Sequence, residues 1–352
     1  MSDTTKPDTN DTIYDAVIIG SGVAGFTSAI TIGKLGGRAV LVEKKKLGGV
    51  CVNYGCIPTK AMIAGVKLID KLRKPDRMER MGVSILGYEA HFEKLMQWKD
   101  HVVNVSSLGV RQLISENHVE YIEGEARIIA PGKVKVGEKL LEAKKIIIAT
   151  GSSSLSLPEV PIDGKSILAS RHVLELDHIP KDFVIIGGGF IGAEFAGVFN
   201  LLGSRVTVIE FLPRLLPNED EEISEAFTRE YQKRGITVLA DHKVIGREAQ
   251  TLIIKNMKDS GIQKIPFEKA LMAVGRVPNL PPELDSLGIH YSKKGIIVNE
   301  YLETNVPGIY AAGDVTELSL LAHLGIYQAE IAASNVMDTP RKACYEYVSS
   351  CV

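Results

Sequence analysis

Cysteine and net charge are both scarce in this chain, and each scarcity removes a class of explanation. Four cysteines in 352 residues are too few for a disulfide framework, so the fold must rest on buried apolar cores. Lys and Arg total 41 against 43 Asp and Glu, and so even a balance gives no strong field for nucleic acid or an anionic membrane. No apolar run reaches the length of a membrane span. The first twelve residues, MSDTTKPDTNDT, read as a disordered tail and lack the basic start and apolar stretch of a signal peptide. Together these absences lead to the expectation of a cytoplasmic protein that binds small, individually recognised ligands, with neither nucleic acid nor membrane as a partner.

What is present is length enough for two or three domains and an internal repeat. Residues 17–43, VIIGSGVAGFTSAITIGKLGGRAVLVE, and residues 184–210, VIIGGGFIGAEFAGVFNLLGSRVTVIE, match at a constant offset of 167 with eleven of 27 positions identical. Each copy runs apolar strand, GxGxxG turn, helix, second apolar strand and terminal Glu, which is one βαβ nucleotide-binding unit. Gly20, Gly22 and Gly25 form the first turn and Gly187, Gly189 and Gly192 the second. Lacking Cβ atoms, they let the backbone turn tightly and approach a pyrophosphate at the positive end of a helix. Glu43 and Glu210 each follow the first glycine of their turn by 23 residues, where a carboxylate can accept ribose hydroxyls. Glu210 would repel a ribose 2′-phosphate and so favours NAD over NADP, while Arg205 and Arg214 lie close enough in sequence to attract one.

Helical periodicity occupies roughly 61–118, short strands with Gly and Pro turns occupy 119–150, and ALMAVGRVPN at 270–279 repeats the strand-then-glycine form. This order predicts nested domains: a first nucleotide domain over 13–150, a second over 151–278, and a return to the first over 279–340.

Cys51 and Cys56 lie in LGGVCVNYGCIPTKAM with four residues between them. Positions five apart point about 140° away from each other on a straight helix, so a disulfide here needs a distorted turn, for which Asn53 and Gly55 are suited. Pro58 suits the first turn of a helix, which would put Cys56 near the positive end, where a thiolate is favoured. Two buried thiols fit the same spacing, whereas a zinc site would need a second Cys or His pair that the sequence does not supply.

GSGVAG at 20–25, GGVCVNYGCIPTK at 48–60, ATG at 149–151, GGGFIGAE at 187–194, VGRVPN at 274–279 and GIYAAGD at 308–314 together resemble the class I pyridine nucleotide-disulfide oxidoreductases. Within that family the likeness is greatest to the dihydrolipoamide dehydrogenases. The resemblance implies an α/β fold with two Rossmann-like dinucleotide-binding domains of the three-layer ββα kind, the NAD domain inserted in the FAD domain. It assigns FAD to Gly20, Gly22, Gly25, Glu43, Gly49, Lys60, Thr150, Gly151, Asp314, Leu321, Ala322 and His323. NAD falls to Gly187, Gly189, Gly192, Glu194, Glu210 and Gly275. It further implies a redox-active Cys51–Cys56 disulfide, with Cys56 facing the flavin and Cys51 exchanging with substrate, and a charged pair of Lys60 with Glu194. The implied substrate is a dihydrolipoyl group or another disulfide, in the setting of a 2-oxo acid dehydrogenase complex.

The resemblance also implies a C-terminal dimerisation domain whose His-Glu pair serves the partner subunit as acid and base. The chain stops at YEYVSSCV, which reads as that domain's opening strand over 341–352. The expectation from sequence is therefore impaired turnover of dihydrolipoyl groups and doubt over the family's homodimer. A mercuric or other disulfide reductase of the same family, and a non-catalytic nucleotide-binding protein, are the other functions these residues fit.

Overall fold

The computed structural model describes residues 13–318 and 320–351, so the expected tail over 1–12 lies outside the described residues. Its helices are α1 (Val23–Lys34), α2 (Gly49–Tyr54), α3 (Cys56–Leu72), α4 (Pro75–Arg80), α5 (Phe92–Glu116), α6 (Ser170–Val173), α7 (Phe190–Leu202), α8 (Glu221–Lys233) and α9 (Ala322–Val336). None is long and apolar enough to cross a membrane.

The described residues group into two compact units. The first lies within Met1–Val52, Ser107–Ser153 and Val277–Ser349, and the second within Asn53–Ser106, Ser154–Arg276 and Ser350–Val352.

In the first unit Ile13–Ile19 is flanked in parallel by Ala39–Glu43 and Lys139–Ile148, with Glu120–Glu123 beyond the former and Ile309–Ala311 against the latter. The start of Lys139–Ile148 also pairs antiparallel with Lys133–Val136, which carries Ala126–Ala130. Side chains alternate between faces along a strand, and here both faces are buried. Ala16, Ile18, Leu41 and Ile147 enter one core with Ala29, Ile32, Ala332 and Val336 of α1 and α9. Val17, Val40, Val42, Ile146 and Ile148 enter another with Ile128, Val134 and Leu141 of the antiparallel strands. Such near-continuous Val and Ile runs are what a parallel strand covered on both faces requires.

The second unit repeats this three-layer plan. Its parallel sheet runs Thr237–Leu239, Arg205–Ile209, Asp182–Ile186, Lys269–Met272, Ile167–Leu168. Phe183, Ile185, Val206, Val208 and Leu271 pack on one side with Phe195 and Phe199 of α7 and Met62 and Val66 of α3. Val184, Ile186, Ala270 and Met272 pack on the other with Val244, Leu252 and Ile254. Those last three come from the antiparallel sheet His242–Glu248, Thr251–Asn256 and Ile262–Pro266. Residues 53–106, placed by sequence in the first nucleotide domain, group by contact with this second unit. The two Rossmann-like units of the expected ββα kind are therefore present.

Candidate functional site

Both glycine turns leave the carboxyl end of a buried parallel strand, where open α/β sheets hold ligands. Gly20 has φ of 98° and Gly187 of 105°, a region that disfavours side chains. A Cβ on either would stand 2.4 Å from a backbone oxygen, that of Ala149 or Ala273. Gly25 and Gly192 bring each helix against its own turn, where a Cβ would lie 1.7 Å from Gly20 O or 2.0 Å from Gly187 O. The middle glycines differ: an added Cβ on Gly22 or Gly189 meets nothing within 4 Å. Each turn is thus walled by backbone and open at its centre, immediately before the first residue of α1 or α7. That cradle fits a dinucleotide pyrophosphate.

The two strand-end glutamates act on these turns directly. Glu43 Oε2 accepts Ser21 N–H and Ser21 Oγ–H, both at 2.8 Å, while Oε1 accepts Lys45 N–H at 2.8 Å. Glu210 Oε2 accepts Gly188 N–H at 2.6 Å and Oε1 accepts Leu212 N–H at 2.8 Å. Charge-assisted bonds of this kind are the stronger ones, so each carboxylate pins the second residue of its glycine turn. The basic neighbours of Glu210 are engaged elsewhere. Arg205 grips Asp182 through Nε and one terminal nitrogen, both at 2.7 Å. Arg214 reaches Glu219 O at 3.2 Å and Pro217 O at 3.5 Å.

Several other predicted residues of the first unit converge near the first turn. A Cβ on Gly49 would stand 2.6 Å from Gly22 Cα, and Gly48 N–H donates to Ser21 O at 3.1 Å. Gly313, beside Asp314, is fixed by Gln328 Oε1, which accepts its N–H at 2.7 Å, and a Cβ there would come within 2.8 Å of Ala24. Asp314 accepts a bond from Ser152 Oγ. Thr150 and Gly151 are held by Asn279: Thr150 Oγ1 donates to Asn279 O at 2.7 Å, and Asn279 N–H donates to Gly151 O at 2.8 Å. Leu321 caps the N-terminus of α9, which Ala322 and His323 begin. His323 Nε2 lies 2.7 Å from Ser349 O.

Cys51 lies in α2, and Cys56 is the first residue of α3, at that helix's positive end. Gly55, with φ of −139° and ψ of −109°, makes the break between them. Asn53 shares none of that distortion, because it continues α2; the glycine alone supplies what the sequence reading divided between two residues. Both cysteines are half-buried. Four residues after Cys56, the Lys60 ammonium pairs with the Glu194 carboxylate of α7. The Lys60 side chain is 58% exposed and that of Glu194 18%, so the pair sits at the rim of the α3–α7 packing. Gly275, also assigned to NAD, has φ of 127° and accepts Leu155 N–H at 3.0 Å.

Sequence reasoning missed Ser21, Asn279 and Gln328, which hold the turns in place. A signal existed for Ser21, which occupies the same repeat position as Gly188. Asn279 closes the VGRVPN motif at 274–279, which marked the segment but not this residue's bonds, and Gln328 carries no local pattern.

The family model described as pyridine nucleotide-disulphide oxidoreductase matches residues 14–335. A dihydrolipoyl dehydrogenase of Bacillus subtilis (strain 168) is 36% identical over 344 residues, 95% of this chain and 74% of its own. One from Acholeplasma laidlawii is 36% identical over 331 residues, 92% of this chain and 96% of its own. Among solved structures, the HOCl-induced flavoprotein disulfide reductase RclA from Escherichia coli has a TM-score of 0.78 at 26% identity, covering 94% of this chain and 72% of that one.

Proposed function

The chain belongs to the pyridine nucleotide-disulphide oxidoreductase family, flavin disulfide oxidoreductases that use FAD and NAD(P), and we propose that within it the chain is an NAD-dependent dihydrolipoyl dehydrogenase. The observation that carries this reading is the Lys60–Glu194 pair, which ties the cysteine-bearing α3 to the helix of the second glycine turn. The relatives named dihydrolipoyl dehydrogenase support it.

On this reading FAD is held by Gly20, Gly22, Gly25, Glu43, Gly49, Lys60, Thr150, Gly151, Asp314 and the Leu321–His323 stretch. Gly187, Gly189, Gly192, Glu194, Glu210 and Gly275 hold NAD. Bound flavin supplies the means of passing an electron pair between a nicotinamide and a dithiol. Cys51 exchanges with the dihydrolipoyl sulfur, and Cys56 completes the disulfide that is reduced to two thiols and re-formed each cycle. Net, the dithiol would give up two electrons and two protons; the nicotinamide would take both electrons with one proton, and solvent the second proton. Lys60 and Glu194 keep their opposite charges together beside this chemistry. The substrate on this reading is a dihydrolipoyl group, in the setting of a 2-oxo acid dehydrogenase complex, turned over at a reduced rate for want of the C-terminal His-Glu pair that the family resemblance implies.

The test is a thiol count. Purified protein should be yellow, and anaerobic NADH should raise its titratable thiols by two per chain in wild type and by none in Cys56→Ser. Colourless protein, or an unchanged thiol count in wild type, would overturn the proposal. The fold similarity to RclA favours a second reading, reduction of some other disulfide. It would be preferred if kcat/KM for a different disulfide exceeded that for lipoamide.

A further inference from the structure

A tyrosine with no part in the proposed chemistry bonds the helix that carries Glu194. Tyr231, on α8, packs its ring on Phe227 with centroids 4.1 Å apart, and its hydroxyl donates to Ala193 O at 2.7 Å. Ala193 immediately precedes Glu194 in α7. In an α-helix the carbonyl of residue 193 is directed at the amide of residue 197, and the Tyr231 oxygen lies beside both residues. The hydroxyl therefore sits on the Ala193–Gly197 rung. A side chain at 197 would crowd it, since a Cβ there would stand 3.0 Å from the Tyr231 oxygen. Burial raises the pKa of this phenol, so it stays a donor across the neutral range. A second tie runs between the same helices, from Asn200 Nδ2 to Arg234 O at 3.2 Å.

We propose that Tyr231 is a positioning residue for Glu194: by holding the Ala193 carbonyl through the space left by Gly197, it fixes the backbone from which the Glu194 carboxylate meets Lys60. The asymmetry of exposure supports this. Lys60 is a long, largely exposed side chain, while Glu194 is mostly enclosed, so the glutamate sets the geometry and the lysine follows. The inference rests on the proposed role of that pair in the redox site, but its test does not need turnover.

Lys60 is exposed enough to be acylated, and its ion pair should slow that reaction. The full-length protein as purified is pulsed with an amine-acetylating reagent, and Lys60 modification is read by mass spectrometry against Lys71. Glu194→Gln should raise the Lys60 rate about two- to fivefold, the range a partly exposed ion pair supports. Tyr231→Phe, which keeps the ring, should raise it by a similar factor, and the double variant should be no faster than Glu194→Gln alone. Gly197→Ala should raise the rate when Tyr231 is present and leave it unchanged in the Tyr231→Phe background, which keeps the test open if one variant folds poorly. A wild-type Lys60 rate in Tyr231→Phe, or additive effects in the double variant, would overturn the proposal. The thiol count judges the redox reading separately, because Lys60 acylation requires no NADH.

Discussion

Glu210 accepts the Gly188 N–H through Oε2 at 2.6 Å, so the carboxylate that ends the second strand of the repeat buttresses the glycine turn that follows the first. Its other oxygen accepts Leu212 N–H, and the residue is 7% exposed. Glu210→Ala would strand the buried Gly188 N–H and free the more exposed Leu212 N–H, at a cost of about 1–3 kcal/mol. The expected result is a fall in melting temperature of roughly 3–9 °C in the absence of nucleotide, accompanied by weaker NADH binding. Glu210→Gln, retaining one acceptor oxygen, should fall between. A nucleotide-free melting curve that matches wild type for Glu210→Ala would show that the carboxylate does not brace the turn.

The glycines of each turn should separate folding from binding. Gly22 has φ of −63° and Gly189 of −74°, angles alanine adopts freely, and both face open space. Gly22→Ala should therefore be purified without flavin, its methyl occupying the pyrophosphate cradle, and melt like flavin-free wild type. Gly189→Ala should keep the yellow colour and lose NADH affinity. Gly25→Ala should do neither: its Cβ would sit 1.7 Å from Gly20 O, a backbone collision costing more than the ~1–3 kcal/mol of ordinary overpacking. Circular dichroism, absorbance and NADH titration of the three variants check the pattern. Flavin retained by Gly22→Ala would place the cofactor elsewhere.

Much of this is legible in the sequence, and the reason is local. A glycine turn is encoded by residues within six positions of one another, and its recurrence at an offset of 167 made the two units visible. The Glu43 and Glu210 positions were equally legible, although their engagement with turn amides was not, because that depends on how strand end and turn meet in space. Lys60 and Glu194 stand 134 positions apart, and no periodicity links them; only the resemblance joined them. Tyr231 and Gln328 stand in no motif, since their roles follow from tertiary packing between separate elements. Asn53 illustrates the opposite failure. Its tolerance of unusual backbone angles was real but unused, because Gly55 alone breaks the helix.

Nicotinamide preference follows from where the two nearby arginines are held. Arg205 opens the strand that Glu210 follows, and five residues of strand separate the two by about 17 Å. Its guanidinium is locked to Asp182 by two bonds of 2.7 Å, and Arg214 is turned to the Pro217 and Glu219 carbonyls. With Glu210 beside the turn, a 2′-phosphate meets negative charge. NADH should be used over NADPH by at least about tenfold, a difference of ~1.4 kcal/mol, and Arg205→Ala should leave that ratio unchanged. Comparison of kcat/KM for the two reductants in both proteins measures it. A ratio that shifts in Arg205→Ala would mean the arginine reaches the ligand.

His178 gives the second unit a pH-dependent tie at the other end of its sheet. Nδ1 lies 2.5 Å from Asp177 Oδ1 and Nε2 2.7 Å from Glu268 Oε1, while Glu268 Oε2 accepts Lys181 N–H at 2.7 Å. Only the imidazolium can donate through both nitrogens. The bonds to Asp177 and then Glu268 raise the His178 pKa, and those two carboxylates are lowered, chiefly by His178 for Asp177 and by the Lys181 amide for Glu268. A raised histidine stabilises fully below its unfolded pKa of about 6.5 and loses that contribution as pH climbs through the folded value. Lowered carboxylates stabilise above about 4.5 and lose their contribution as pH falls through their folded values. The tie should thus be strongest near pH 5.5. Because the ring is half exposed, the gain is that of a screened surface pair, and His178→Gln should melt about 1–3 °C below wild type at pH 5.5. At pH 9 the two melting curves should coincide, since the neutral ring leaves one of its two contacts without a donor. A gap that stays constant from pH 5.5 to pH 9 would instead assign the loss to packing of the ring.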